Sequence, residues 1–152
     1  MVKNNEKNIS NINDDLTVAK QNLENHTISI VKGDIIYVST KRGISPMVDY
    51  IEQGINLKGF SVADVIVGKA VALLFIKEGI VKVFAKVISK AGLEVLNNYK
   101  IYVEYETLTD NIINRKGTDI CPMEKTVLDI DEPNVAYEKL KKTLAFLKNN
   151  NN

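Results

Sequence analysis

At 152 residues, with 45% hydrophobic and 26% charged side chains, the chain has the size and composition of one globular α/β-type domain rather than of a fibrous, disordered or multi-domain protein. Its 20 basic and 19 acidic residues leave a formal charge of +1, which argues against a general attraction to nucleic acid or to anionic lipid. One cysteine excludes an internal disulfide, the opening Met1-Val2-Lys3-Asn4-Asn5-Glu6 lacks the apolar segment of a secretory signal, and the longest apolar run, Ala70 to Ile76, is far short of the roughly 20 residues of a membrane span, so a cytoplasmic protein is expected.

Residues 1–12, rich in Asn and Lys, and the closing Asn149-Asn150-Asn151-Asn152 bury too little apolar surface to offset the entropy of ordering. They are expected to be loose tails around a single domain over 13–148. Asn13 or Asp14 caps a first helix in which Leu16, Ala19, Lys20 and Leu23 share a face, a narrow stripe that predicts peripheral packing. His26 to Val31 and Asp34 to Thr40 are β-branched runs separated by Lys32-Gly33, the pattern of a tight hairpin. Gly43 breaks the second strand; Ser45 is placed as the N-cap and Pro46 as the first residue of a helix that Gly54 stops.

Ser61-Val62-Ala63-Asp64 reads as a capping-box variant opening a long helix, apolar on nearly every side from Val62 to Ile76 apart from Asp64, Gly68 and Lys69, and therefore buried. Gly79 ends it. Val81 to Ile88 follows as a strand, Ser89 caps a helix from Lys90 to Asn98, and Ile101 to Leu108 is a further strand. Cys121-Pro122-Met123-Glu124 opens another helix, and Pro133 opens the last, with Val135, Ala136, Leu140, Leu144 and Leu147 on one side. Strands linked by helices predict parallel pairing added to the antiparallel hairpin: an α/β (α+β) sandwich with a mixed sheet of about four to five strands and helices on both faces.

The motifs Gly43-Ile44-Ser45-Pro46, Ala63-Asp64-Val65-Ile66-Val67-Gly68-Lys69-Ala70, Phe84-Ala85-Lys86-Val87-Ile88-Ser89, and Asn114-Arg115 followed by Cys121-Pro122-Met123-Glu124 stand in an order that resembles domain of unknown function family 1893. The resemblance spans about His26 to Leu128 and implies a cytidine deaminase-like fold. It implies no reaction, because the family has no established one. A zinc deaminase needs three thiolate or imidazole ligands and a proton-shuttling glutamate. This chain holds one histidine and one cysteine in all, so it is not a zinc-dependent deaminase, and no metal or other cofactor is expected. The two helix starts at which such enzymes carry their ligands read here Val62-Ala63-Asp64 and Ile88-Ser89-Lys90-Ala91.

Gly68-Lys69 is not a P-loop, since Ala63 and Ala70 stand where that motif needs a glycine and a Ser or Thr. A buried charge without a partner costs several kcal/mol, which raises the question of why so apolar a segment keeps Asp64 and Lys69. In one reading Asp64 caps the helix and Lys69 reaches the surface or an acid. In the other they line a polar pocket at the sheet's carboxyl edge, where open α/β folds bind ligands, with helix-start amides near Ser61 and Ser89 and positive charge from Lys69, Lys86 and Arg115 favouring a phosphate, nucleotide or carboxylate. Asn114 and Arg115 precede the Cys121 helix and face either that site or a surface partner. Cys121, at a helix start where unsatisfied amides favour a thiolate, is the candidate nucleophile, with Glu124 placed to close a capping box; it is otherwise an ordinary cap. His26 offers no evident base.

Three functions remain open. The first is a zinc-free deaminase-like binding module for a small anionic or nucleotide-like ligand, using Asp64, Lys69, Lys86, Ser89, Asn114, Arg115, Cys121 and Glu124. The second is a metal-independent enzyme with Cys121 as nucleophile or redox thiol. The third is a structural domain that pairs with other proteins, for instance as a homodimer through a strand edge or the terminal helices. Nucleic-acid and membrane partners are not expected.

Overall fold

The computed structural model describes residues 14–150; the expected tail over 1–12, and Asn151 and Asn152, lie outside them. In chain order the elements are α1 (Asp15–Asn22), β1 (Ile28–Lys32), β2 (Ile35–Ser39), α2 (Ser45–Glu52), β3 (Ser61–Val67), α3 (Lys69–Lys77), β4 (Lys82–Ser89), α4 (Lys90–Asn98), β5 (Tyr102–Thr109), α5 (Pro122–Thr126) and α6 (Pro133–Asn150). Asn149 and Asn150, expected in the C-terminal tail, are the last residues of α6. No helix among the described residues is long and apolar enough to cross a membrane.

The strands form one mixed sheet in the order β2-β1-β3-β4-β5. The hairpin pairs β1 antiparallel to both β2 and β3, while β3, β4 and β5 run parallel through the crossovers α3 and α4. Gly33, at φ +58°, supplies the left-handed backbone that the hairpin turn demands. Alternation along the strands divides the apolar residues into two cores. Val31, Ala63 and Phe84 meet Leu16, Ala19 and Leu23 of α1 on one face. Ile30, Val62 and Ala85 meet the other helices on the opposite face, where α3 is buried from Ala70 to Phe75.

One expected element is different in kind. Residues 61–67 are the central strand β3, and the buried helix starts only after Gly68. A strand in the middle of a parallel sheet is covered on both faces and reads as a continuous apolar run, which periodicity alone does not distinguish from a buried helix. Asp64 therefore caps nothing; by the period of two it shares the face of Val62, beneath the helical layer. Smaller departures are a helix cap at Ile44 rather than Ser45, and the exposure of Val135, whose expected place on the inner side of α6 is taken by Tyr137.

Candidate functional site

The register of β1 creates the opening in which the site lies. Its pairing with β3 begins at Ile28 opposite Asp64, so beyond the single bond from the Val65 amide to the Thr27 carbonyl (3.1 Å) the carboxyl-terminal half of β3 has no neighbour on that side. A cavity of about 510 Å³ fills the gap, walled by Ile44, Val65, Ile66, Val71, Ile112 and Met123, with Thr27, Arg42, Asp64, Arg115, Cys121 and Glu124 also on its lining. Most of the wall is apolar, and the polar groups converge from five segments: the residue before β1, the loop after β2, the strand β3, the loop after β5 and the head of α5.

Asp64 is the buried polar group of this cavity, with 7% of its surface exposed. Among the described residues no side chain hydrogen-bonds it and no cation pairs with it. Burial pushes its carboxyl up to about 8, with the backbone amides of Ile66 and Val65 pulling back only in part. Asp64 therefore holds its proton more tightly than an ordinary carboxyl does.

Glu124 is half-buried, and fully committed. Its Oε1 accepts from the Lys69 amide at 2.7 Å and its Oε2 from the Ala70 amide at 2.9 Å, so the carboxylate caps the start of α3 across more than 50 residues of sequence. Burial raises its pKa more than those two amides and the Lys69 charge lower it. The carboxylate fits because Gly68 has no side chain: a Cβ there would lie 2.3 Å from Oε1. Gly92 in turn lets α4 approach, since a Cβ on it would meet the Gly68 carbonyl carbon at 3.0 Å. The free helix-start amides expected at Ser61 are not there, because Ser61 begins a strand; those that exist, at Lys69 and Ala70, are occupied by an internal anion. Nor does Glu124 close a capping box with Cys121, whose amide donates instead to the Ile112 carbonyl at 2.9 Å.

The other expected residues divide in three. Arg115 and Cys121 reach the Asp64 cavity: Arg115 is exposed in the loop, and Cys121 is half-buried ahead of Pro122, its side chain making no capping bond. Lys69 and Ser89 line a second cavity of about 430 Å³, which shares only Ile112 and Glu124 with the first. There the Lys69 amine is held by Asp131 (2.9 Å) and the Leu128 carbonyl (3.2 Å), and Ser89 caps α4 by accepting from the Gly92 amide at 3.0 Å. Lys86 and Asn114 reach neither cavity. Lys86 is exposed on β4, and Asn114 ties its own loop together through Thr118 at 3.0 and 3.2 Å. His26 Nδ1 donates to the Asn22 carbonyl at 2.8 Å, and the residue lines neither cavity.

Arg42 is the residue that sequence reasoning missed. It is exposed at the cavity beside Arg115, and among the described residues neither arginine enters an ion pair. Its signal is its position next to Gly43-Ile44-Ser45-Pro46, a motif that carries a helix start and the family resemblance but no site residue.

A model of the family described as TM1506, domain of unknown function (DUF1893), matches residues 18–144. The crystal structure of a DUF1893 family protein, TM1506 from Thermotoga maritima, superposes with a TM-score of 0.75 at 30% identity, covering 87% of this chain and 89% of that one. No curated protein matches the chain.

Proposed function

The chain belongs to the DUF1893 family, and from that premise we propose that it binds a small anionic ligand in the Asp64 cavity. One observation carries this reading: an acid, 93% buried and without an ion-pair partner among the described residues, lines an apolar cavity whose exposed polar margin is two arginines that likewise enter no ion pair among those residues. Burying a carboxyl without a partner lowers stability, and a ligand that satisfies it removes that penalty. The volume suits a metabolite-sized molecule, and the place, outside the carboxyl end of a central strand, is where open α/β sheets take ligands. Arg42 and Arg115 supply planar donors for a carboxylate or phosphate.

The deaminase-like reading gains a specific form. In the enzymes of that fold the buried helix opens on a metal ligand; here its opening is Gly68-Lys69-Ala70, and the Glu124 carboxylate occupies the amides. On the deaminase-like reading, the Glu124 carboxylate stands where such enzymes carry their metal machinery, and the proposed ligand site is the adjoining cavity.

In a thermal-shift screen of phosphorylated and carboxylated metabolites, a ligand at 100 times its dissociation constant stabilises the protein by about 2.7 kcal/mol. Arg42→Ala and Arg115→Ala are each expected to weaken such a ligand roughly 10-fold, the share of one charge-assisted hydrogen-bond pair, whereas Lys86→Ala leaves it unchanged. Arginine variants that bind every hit as well as the wild type would remove the cavity from the reading.

A second reading is favoured by the placement of Cys121 and Asp64 on the lining of one cavity: a metal-independent enzyme in which the Cys121 sulfur adds to a carbonyl carbon of the bound ligand, the C=O π bond breaks as Asp64 gives its proton to that oxygen, and the thiol proton returns to the Asp64 carboxylate. Cys121→Ser then abolishes turnover of a bound ligand while its affinity is retained. Unchanged turnover in that variant rules the thiol out.

A further inference from the structure

We propose that the group Asp64 recognises in this cavity is a cis-amide or lactam edge, a carbonyl beside an N–H. This deepens the anion-binding reading of the same cavity and rests on it.

A protonated carboxyl presents an O–H donor and a C=O acceptor on one edge. A lactam presents the complementary pair at the same spacing, so the two close a ring of two hydrogen bonds and leave nothing unsatisfied. A ligand with only an anionic group would meet the arginines and leave the Asp64 donor unpaired beside apolar walls, a loss that discriminates strongly in a desolvated site. A ligand offering an ammonium would require Asp64 as a carboxylate. The surroundings oppose that ionisation: Val65, Ile66, Val71 and Met123 line the space, and no lysine borders it. The titratable and charged groups that share the cavity are Arg42, Arg115, Cys121 and Glu124. Both oxygens of Glu124 are already engaged by the Lys69 and Ala70 amides, which leaves Asp64, touched only by the backbone amides of Val65 and Ile66, as the carboxyl with hydrogen-bonding capacity left for a ligand. The ligand class that fits is thus a flat or compact lactam carrying a carboxylate or phosphate at its far end.

Four acids separate the possibilities when titrated calorimetrically against the full chain near pH 6.5 at up to millimolar concentration. They are 6-hydroxynicotinate in its lactam form, its N-methyl derivative, benzoate, and 4-(aminomethyl)benzoate. The lactam acid is expected to bind at least roughly 10-fold tighter than the N-methyl compound and benzoate, the discrimination of a site built around a hydrogen-bonding edge. Its affinity should be flat through neutral pH and fall above about 8, as Asp64 ionises. Asp64→Asn, whose amide also pairs a donor with an acceptor, keeps the preference and flattens the pH profile; Asp64→Leu abolishes the preference. Equal binding of the first three acids overturns the lactam assignment and leaves the anion site intact. Tightest binding of the ammonium acid, with release of a proton to the buffer, overturns it by showing Asp64 to be a carboxylate in the complex. Failure of all four acids to bind the wild-type protein overturns the anion reading and the assignment together.

Discussion

Glu124→Ala is expected to unfold about 9 °C below the wild-type protein, a loss of about 3 kcal/mol. The carboxylate caps a helix whose body from Ala70 to Phe75 is buried, and its removal leaves the Lys69 and Ala70 amides without an acceptor at the base of two cavities. Each orphaned amide costs about 1–3 kcal/mol, with water entering from the cavities to moderate the sum. Glu124→Gln retains one acceptor and relieves the burial of charge, so it should lose less than half as much. Gly68→Ala tests the same contact from the other side. Its Cβ would sit 2.3 Å from the Glu124 Oε1 and evict the carboxylate, so it should cost nearly as much as Glu124→Ala. The double variant should be little worse than either single one, because both remove one interaction. Additive losses in chemical denaturation would show that Gly68 and Glu124 act separately.

Asp64→Asn works in the opposite direction and with pH. At pH 7.5 the variant is expected to unfold about 10 °C above the wild type, a gain of roughly 3 to 5 kcal/mol, and at pH 4 the two should coincide. The native carboxyl, pushed up to about 8 by burial, keeps its proton across a range in which the unfolded chain, with an ordinary value near 4, has lost it. Between those limits the unfolded state binds fewer protons, so wild-type stability falls as pH rises from about 4 to about 8. Asparagine has nearly the same shape and no proton to lose. A stabilising polar substitution in a protein interior is unusual, and its natural explanation is a group held for function at the expense of stability. Equal unfolding temperatures for the two proteins across the whole pH range would refute that explanation.

The parts of the fold legible in the sequence were those with local punctuation. Lys32-Gly33 fixed the hairpin turn, Gly54 and Gly79 the helix ends at φ +72° and +77°, and Ser89 a helix start that the structure repeats at the same residue. What failed was the run from Val62 to Ile76, where strand and helix are both buried and the boundary is a single extended glycine. Val62, Val65, Ile66 and Val67 are β-branched and the residues after Gly68 largely are not, and that change of composition was the available signal.

The site was legible as a set of residue types but not as a geometry. Asp64, Arg115, Cys121 and Glu124 converge because β3, the loop after β5 and α5 meet at one sheet edge, a long-range fact that no spacing encodes. Lys69 was selected for its charge, yet its side chain braces the segment before α6 while its backbone amide holds Glu124. Lys86 is likewise expected at the site for its charge, although strand alternation turns it to solvent. The free amides sought at the start of the buried helix had already been taken by Glu124, a residue 55 positions downstream of Lys69.

At this sheet edge one carboxyl caps a helix, and the other is buried without an ion-pair partner among the described residues, which on the proposed reading keeps it protonated for a ligand. A ¹³C NMR titration of the side-chain carboxyls tests that division directly. The Asp64 signal should remain that of a protonated acid through pH 7 and titrate with a midpoint near 8. A midpoint in the ordinary range near 4 would mean that Asp64 is an ionised, solvated aspartate and that the cavity holds no neutral acid for a ligand to meet.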